Sequence, residues 1–282
     1  MTDKNDRNGI GPEEYSELKK QEKAEVFELL SSSTQKLLSA DKLREYADMQ
    51  AKLFNHSVSN VLLIMEQDPE ATWVRSYDDW KKDGVTVVKG ETGIRTLGSY
   101  RFRKRDGTMG MGSKVVRMFD VKQTSVRDMD IEEQSCSRMP EAIMGAFPAA
   151  VEVPDLPDGE LALYDPEDKL IRVKEGLDPD TKMFVMAREN AVEIMTGEGY
   201  NTRESVLPQS EMAAYILTKH YGFDVPKIDF EGMSSGYPGK EEKDVRAQLG
   251  IIRHAADTID RRTQEAYELG RGSKSKDDRE ER

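Results

Sequence analysis

The sequence predicts an α+β fold, and three observations carry that expectation. Apolar residues recur at helical spacing from Tyr15 to Trp80. The pattern then changes to short β-rich runs between Val85 and Val121, broken by a glycine-rich turn. After residue 151 a hairpin pattern gives way to helices. The expected architecture is a set of N-terminal helices packed on an antiparallel meander, then a mostly helical domain with a β-hairpin and a C-terminal helix.

Each element has a local reason. Pro12-Glu13-Glu14 opens a helix whose apolar positions include Tyr15, Leu18, Val26, Phe27, Leu30, Leu37 and Leu38. Its charged middle makes the spacing loose, so this helix reads as an extension separate from the main core. Asp41 can cap a second helix that places Leu43, Tyr46, Ala47, Leu53 and Phe54 on one side. A third helix, "SVSNVLLIMEQ", stops before Pro69. Ser76 can cap a short helix with Tyr77 and Trp80, ending near Gly84. "VTVV", "GIRTLGSYRF" and "KVVRMFDV" read as strands, the last two joined by the loop "RKRDGTMGMGS".

The second half begins with a polar linker, "DMDIEEQSCSRM", and a short helix at "PEAIMGAF". "ELALYDPEDKLIRVKEG" is a hairpin turning at Asp165-Pro166-Glu167-Asp168. Asp178-Pro179-Asp180 starts the helix containing "MFVMARENAVEIM". After "TGEGYNTRESVLP" comes the helix "SEMAAYILTKHYG", with Gly222 at its C′ position. "EGMSSGYPGK" is a loop before a last long helix. The expected partition is an N-terminal extension at 1–39, one domain at 40–127, a linker at 128–150, a second domain at 151–230, a C-terminal helical segment at 231–270 and a disordered tail at 271–282.

Composition narrows the function classes. The net charge is −12 with 34% charged residues, which argues for a soluble protein and against one that coats nucleic acid over its whole surface. No apolar run reaches the length of a membrane span, and the N-terminus lacks a signal-peptide core. Cys136 is the single cysteine, so a cytoplasmic protein without disulfides is expected; Cys136 has no His or Lys partner nearby that would make it a nucleophile. His56, His220 and His254 are too far apart in sequence to form a metal-ligand pattern; His220 reads as a surface or cap residue. Charge is unevenly spread. From Lys81 to Arg127 there are 12 Lys/Arg against 4 Asp/Glu, and from Ile131 onward 20 against 32. A basic module is followed by an acidic one.

The basic module carries Trp80, Lys81, Lys82, Lys89, Arg95, Tyr100, Arg101, Arg103, Lys104, Arg105, Lys114 and Arg117. Cations tracking phosphates, with Trp80, Tyr100 or Phe102 stacking on bases, would form a single-stranded nucleic-acid surface. The plainer alternative has Trp80 and Phe119 in a core and the basic hairpin in solvent. The glycines of "DGTMGMGS" lack the Lys-Ser/Thr ending of a phosphate loop.

Ser57, Asn60, Leu63, Trp80, Gly84, Val88-Lys89-Gly90-Glu91, Gly93-Ile94 and Phe119-Asp120-Val121 with Gln123-Thr124 form one pattern. In these residues the chain resembles the N-terminal domain of the ArdC-type antirestriction proteins, shared with conjugative-element proteins of the LtrC type and some plasmid primases. The resemblance implies single-stranded DNA binding in a mobile-element protein with an antirestriction or DNA-protecting role. In that family a zincin-like domain follows, with a hairpin, a His-Glu-x-x-His helix and a Glu-x-x-Ala-Tyr helix.

Here the same order gives Arg188-Glu189-Asn190-Ala191-Val192 and Glu211-Met212-Ala213-Ala214-Tyr215. Arg188 and Val192 replace the two metal-binding histidines. A guanidinium does not ligate zinc and Val192 has no donor atom. Glu189, the family's general base, then has no metal-bound water to activate, and Glu211 is one carboxylate without imidazole partners. The expectation is a non-enzymatic protein with a degenerate zincin site, no metal and no cofactor. Arg188 is expected to stand in for the metal by pairing with Glu211, Glu189 or both. The expected partners are single-stranded DNA and a host defence or conjugation protein held by the acidic half, with no membrane. The alternatives are a metal-dependent peptidase with an unusual ligand set, or a primase-associated conjugation accessory protein.

Overall fold

Proline suits the first turn of a helix because its missing N–H would have no intrahelical partner there. Pro12 accordingly begins α1 (Pro12–Lys36). The computed structural model describes residues 11–127, 150–197 and 201–280, with side chains as far as Tyr267. The helix at 140–147, Cys136 and all but the last residue of the linker expected at 128–150 fall outside them. The fold is α+β, with eight α-helices and two small sheets among the described residues. No helix is long and apolar enough to cross a membrane.

The chain divides into two compact units, Met1–Lys36 with Ser59–Asp128 and Leu37–Val58 with Met129–Arg282. This division differs from the one read in the sequence in two ways. α1 is not a separate extension: Val26 and Leu30 are buried, and the helix packs against the sheet of the first unit. The helix after it, α2 (Ala40–Lys52), groups with the C-terminal helices, because its apolar stripe of Leu43, Tyr46 and Ala47 is buried in the second unit.

The first unit continues with α3 (Val58–Gln67), β1 (Val74–Ser76), α4 (Tyr77–Lys82), β2 (Ile94–Arg103) and β3 (Met109–Asp120). Ser76 caps α4 as expected, accepting the Asp79 N–H. The sheet is antiparallel in the order β1-β3-β2, and Arg95 lies opposite Arg117, Tyr100 opposite Gly112 and Phe102 opposite Gly110. The strand expected at 85–88 reduces to one bridge, Val87 to Thr124. Gly84 and Gly90 both turn with positive φ on either side of it, which leaves too little chain to extend a ladder.

The second unit contains a mixed three-stranded sheet, β4 (Ala150–Val153), β5 (Ala162–Asp165) and β6 (Leu170–Lys174), in the order β4-β6-β5. β5 and β6 form the expected hairpin, and β4 adds itself parallel to β6. Four helices follow, α5 (Pro179–Thr196), α6 (Arg203–His220), α7 (Phe230–Ser235) and α8 (Glu242–Glu280). Asp178 caps α5 by accepting the Thr181 N–H at 3.0 Å. α5 is buried around most of its circumference, from Met183 to Val192, because α6, α8 and the β5–β6 hairpin all pack on it. Gly222, at φ +81°, ends α6; the Phe223 N–H returns to Thr218 O at 3.1 Å.

Several expectations change here. Ser39, not Asp41, caps α2, since its hydroxyl accepts the Lys42 N–H. The loop expected at 231–240 contains α7. α8 extends as far as Glu280, into the segment expected to be a disordered tail, because each residue added to an established helix gains a hydrogen bond without a new nucleation cost. α6 starts at Arg203 rather than after Pro208. Pro208 forfeits one N–H near the start of the helix, while Thr202 and Ser205 cap it reciprocally. That early start turns out to be decisive for the second candidate site.

Candidate functional site

The family-like pattern of the first unit is used to hold the fold. Asp120 is fully buried; one carboxylate oxygen accepts the N–H groups of Thr72 and Trp73 at 2.8 and 3.0 Å, the other that of Lys122 at 3.1 Å. Gln123 accepts the Asp120 N–H and donates to Thr92 O and Glu91. The Asn60 side chain accepts from Leu97 N–H and donates to Leu97 O; Gln67 does the same for Arg95. Two carboxamides on α3 thus stand in for a neighbouring strand along the outer edge of β2. Trp80 is 1% exposed, donates its indole N–H to Phe119 O at 2.9 Å and lies under the Arg75 guanidinium. It is a core residue with no face left for a base.

The basic residues separate into two sets. Lys82 pairs with Asp79, Arg95 with Glu25 and Arg117 with Glu22, at 2.6, 2.8 and 2.5 Å. Arg95 and Arg117 face each other across the base of the hairpin, and their partners lie one turn apart on α1. These two arginines fasten α1 to the sheet. Among the described residues no carboxylate pairs with Lys81, Lys89, Arg101, Arg103, Lys104, Arg105 or Lys114. Five of those seven stand on the outer part of the β2–β3 hairpin and its turn, where residues 99–109 are exposed.

That outer hairpin has two unlike faces, since residues directly opposite each other in a ladder share a face. One presents Tyr100, Phe102 and Lys114, with Gly98, Gly110 and Gly112 between them. The other presents Arg101, Arg103, Met109 and Met111. The tip is a tight turn in which Gly107 has φ +85°, Lys104 N–H bonds to Thr108 O, and Asp106 accepts from Thr108.

The second candidate lies on α5. Glu189 is 0% exposed. Its carboxylate accepts from Arg188 Nε at 2.8 Å, Arg203 Nη2 at 2.9 Å and the Tyr164 N–H at 3.0 Å. Glu160 holds the outer side, at 3.1 Å from Arg188 and 3.3 Å from Arg203, and Arg188 also donates to Ala162 O. Two guanidiniums and two carboxylates therefore close on each other, half under the surface. Of the pairings expected for Arg188, the one with Glu189 forms and no hydrogen bond or ion pair joins it to Glu211. Glu211 is half-buried, and burial pushes its carboxyl pKa up, opposed by the nearby Arg188.

Arg203 escaped the sequence reading. Pro208 made residues 196–208 look like a loop, and only the early start of α6 brings Arg203 to Glu189. His220 is also unlike its expectation: its ring stacks on Phe54 at 4.1 Å, and Nδ1 lies 3.0 Å from Ala51 O. Burial holds its pKa down, and the half-buried ring is packed between Phe54 and the Ala51 carbonyl rather than standing free at the helix end.

The site does not fit a metal. Arg188 is a permanent cation, Val192 is a buried hydrocarbon, and the Glu189 oxygens are taken by N–H donors. Among the described residues no group of three or more His, Cys, Asp or Glu could hold a metal ion.

Residues 20–134 match the family model of the N-terminal domain of anti-restriction factor ArdC. No curated protein matches the chain in sequence. Two solved structures share the fold, both of the antirestriction protein ArdC from the R388 plasmid, one metal-free and one Mn(II)-bound. Each has a TM-score of 0.53 and 14% identity. The alignments cover 84% and 83% of this chain and 98% of each of those chains.

Proposed function

We propose that the chain, whose residues 20–134 match the N-terminal domain of anti-restriction factor ArdC, is an ArdC-type protein with an anti-restriction role for a mobile genetic element, exercised by binding single-stranded DNA without catalysis. The observation that carries the DNA reading is the outer β2–β3 hairpin. It concentrates Arg101, Arg103, Lys104, Arg105 and Lys114 beside two exposed aromatic rings in a protein of net charge −12. Unpaired cations on a protruding ribbon suit a flexible polyanion, and exposed rings suit unpaired bases.

The second unit acts as a zincin-like frame without its chemistry. In the closed cluster both carboxylates, Glu160 and Glu189, are engaged by Arg188 and Arg203, so neither is free to ligate a metal or to act as a base beside a bound water. Its role is then association, and its acidic surface suits a host-defence or conjugation protein with a basic face.

Gel retardation of the full chain tests the DNA reading. Single-stranded DNA should be retarded at low salt more strongly than the same sequence as duplex. Affinity should fall with salt at a slope of roughly −0.7 for each phosphate neutralised. Arg101→Ala, Arg103→Ala, Lys104→Ala and Arg105→Ala combined should abolish most of the binding. A wild-type chain that retards no single-stranded DNA at low salt sinks the reading. Expression in a restricting host, with unmodified incoming DNA, tests the biological role.

A further inference from the structure

The rings of Tyr100 and Phe102 are held in a particular way. A Cβ added at Gly112 would come within 2.7 Å of the Tyr100 ring, and one at Gly110 within 2.7 Å of the Phe102 ring. Each ring therefore lies over the glycine opposite it, across the ladder and not upright from it. The ring centroids are 6.0 Å apart with 44° between their planes, and the two residues are 44% and 42% exposed. Both rings keep one side on the glycine floor and turn the other to solvent. Lys114 stands on the same face on the body side, and the turn at Lys104 and Arg105 bounds the other end.

Rings over glycines can be mere cover for an otherwise bare ladder. Cover alone does not account for the cations at both ends of the same face; the reverse face carries Arg101 and Arg103 with Met109 and Met111 but no ring. We propose that Tyr100 and Phe102 form a stacking platform for consecutive bases of single-stranded DNA, with Lys114 on one side and Lys104 and Arg105 on the other receiving the flanking phosphates. The glycines are part of the device. They let the rings lean across the ladder and fix their spacing, so that ring freedom is lost on folding and not on binding. The proposal rests on the DNA reading above and adds to it which face is used and how.

The test uses the full chain and fluorescein-labelled oligothymidylate of about 15 nucleotides, within the site sizes such surfaces cover, read by anisotropy over a salt series. Tyr100→Leu and Phe102→Leu keep apolar cover over the glycines but remove the π faces. Each should weaken binding about tenfold with the salt slope unchanged. Lys114→Ala should instead reduce the slope by about 0.7. Tyr100→Trp should bind like the wild type, and its added emission should be quenched by oligothymidylate. That readout remains if a leucine variant fails to fold.

The outcomes separate the two ideas. A wild type that binds single-stranded DNA while both leucine variants bind equally well overturns the platform and leaves the DNA reading intact. So does an unquenched Tyr100→Trp chain that still binds. A wild type that binds no oligothymidylate at low salt overturns both.

Discussion

Replacing Arg188 by alanine tests the closed cluster directly. Glu189 has no exposure, and Arg188 is only 13% exposed along its side chain. The substitution removes the 2.8 Å bond to Glu189 and the bonds to Glu160 and Ala162 O. Stripping a buried ion of its only partner costs about 3–5 kcal/mol. Arg203 and the Tyr164 N–H still hold Glu189, so the expected loss is about 2–3 kcal/mol, the size of one strong charge-assisted bond. Arg203→Ala should cost a similar amount. The double variant leaves Glu189 buried with one N–H, and should exceed the sum of the singles by about 1 kcal/mol or more. Urea titration of the full chain gives the total effect. Hydrogen exchange of the α5 amides assigns it to the second unit, since two units need not unfold together. A loss below about 1 kcal/mol for Arg188→Ala, with additive singles, would place the pair effectively in solvent and refute the reasoning.

Three further outcomes follow from the same geometry. Glu211 has its pKa raised by burial, so the folded state binds its proton more tightly than the unfolded state does. Its contribution favours folding at low pH and is lost as pH rises from the ordinary carboxylate range through the raised value. Glu211→Gln should therefore raise the melting temperature at pH 7 and leave it little changed near pH 4; equal shifts at both would contradict this. Asp120→Ala removes the acceptor of three N–H groups in a fully buried position and should destabilise the first unit by about 3 kcal/mol, measured by urea titration. Asn60→Ala exposes the outer edge of β2 at Leu97 and should cost about 1–3 kcal/mol, with faster hydrogen exchange at Leu97 as its local signature.

Much of this protein was legible in its residue order. Pro12, Ser76 and Asp178 mark helix starts by local chemistry that needs no tertiary partner, and Gly222 marks an end for the same reason. The β5–β6 hairpin and the strands around "RKRDGTMGMGS" follow from alternation and turn residues. That neither Arg188 nor Val192 offers a metal ligand is a property of the side chains themselves. What the sequence concealed depends on which groups meet. Lys82, Arg95 and Arg117 are as basic as Arg103, but Asp79, Glu25 and Glu22 claim them, two from as far as 70 and 95 residues away. Trp80 has the same stacking chemistry as Tyr100, but Phe119 O and the core take it. Arg203 reached Glu189 only because α6 runs through Pro208. Periodicity and capping report interactions a few residues apart, whereas ion pairing, burial and the side of a ladder on which a ring lies are set by contacts made only when distant segments pack.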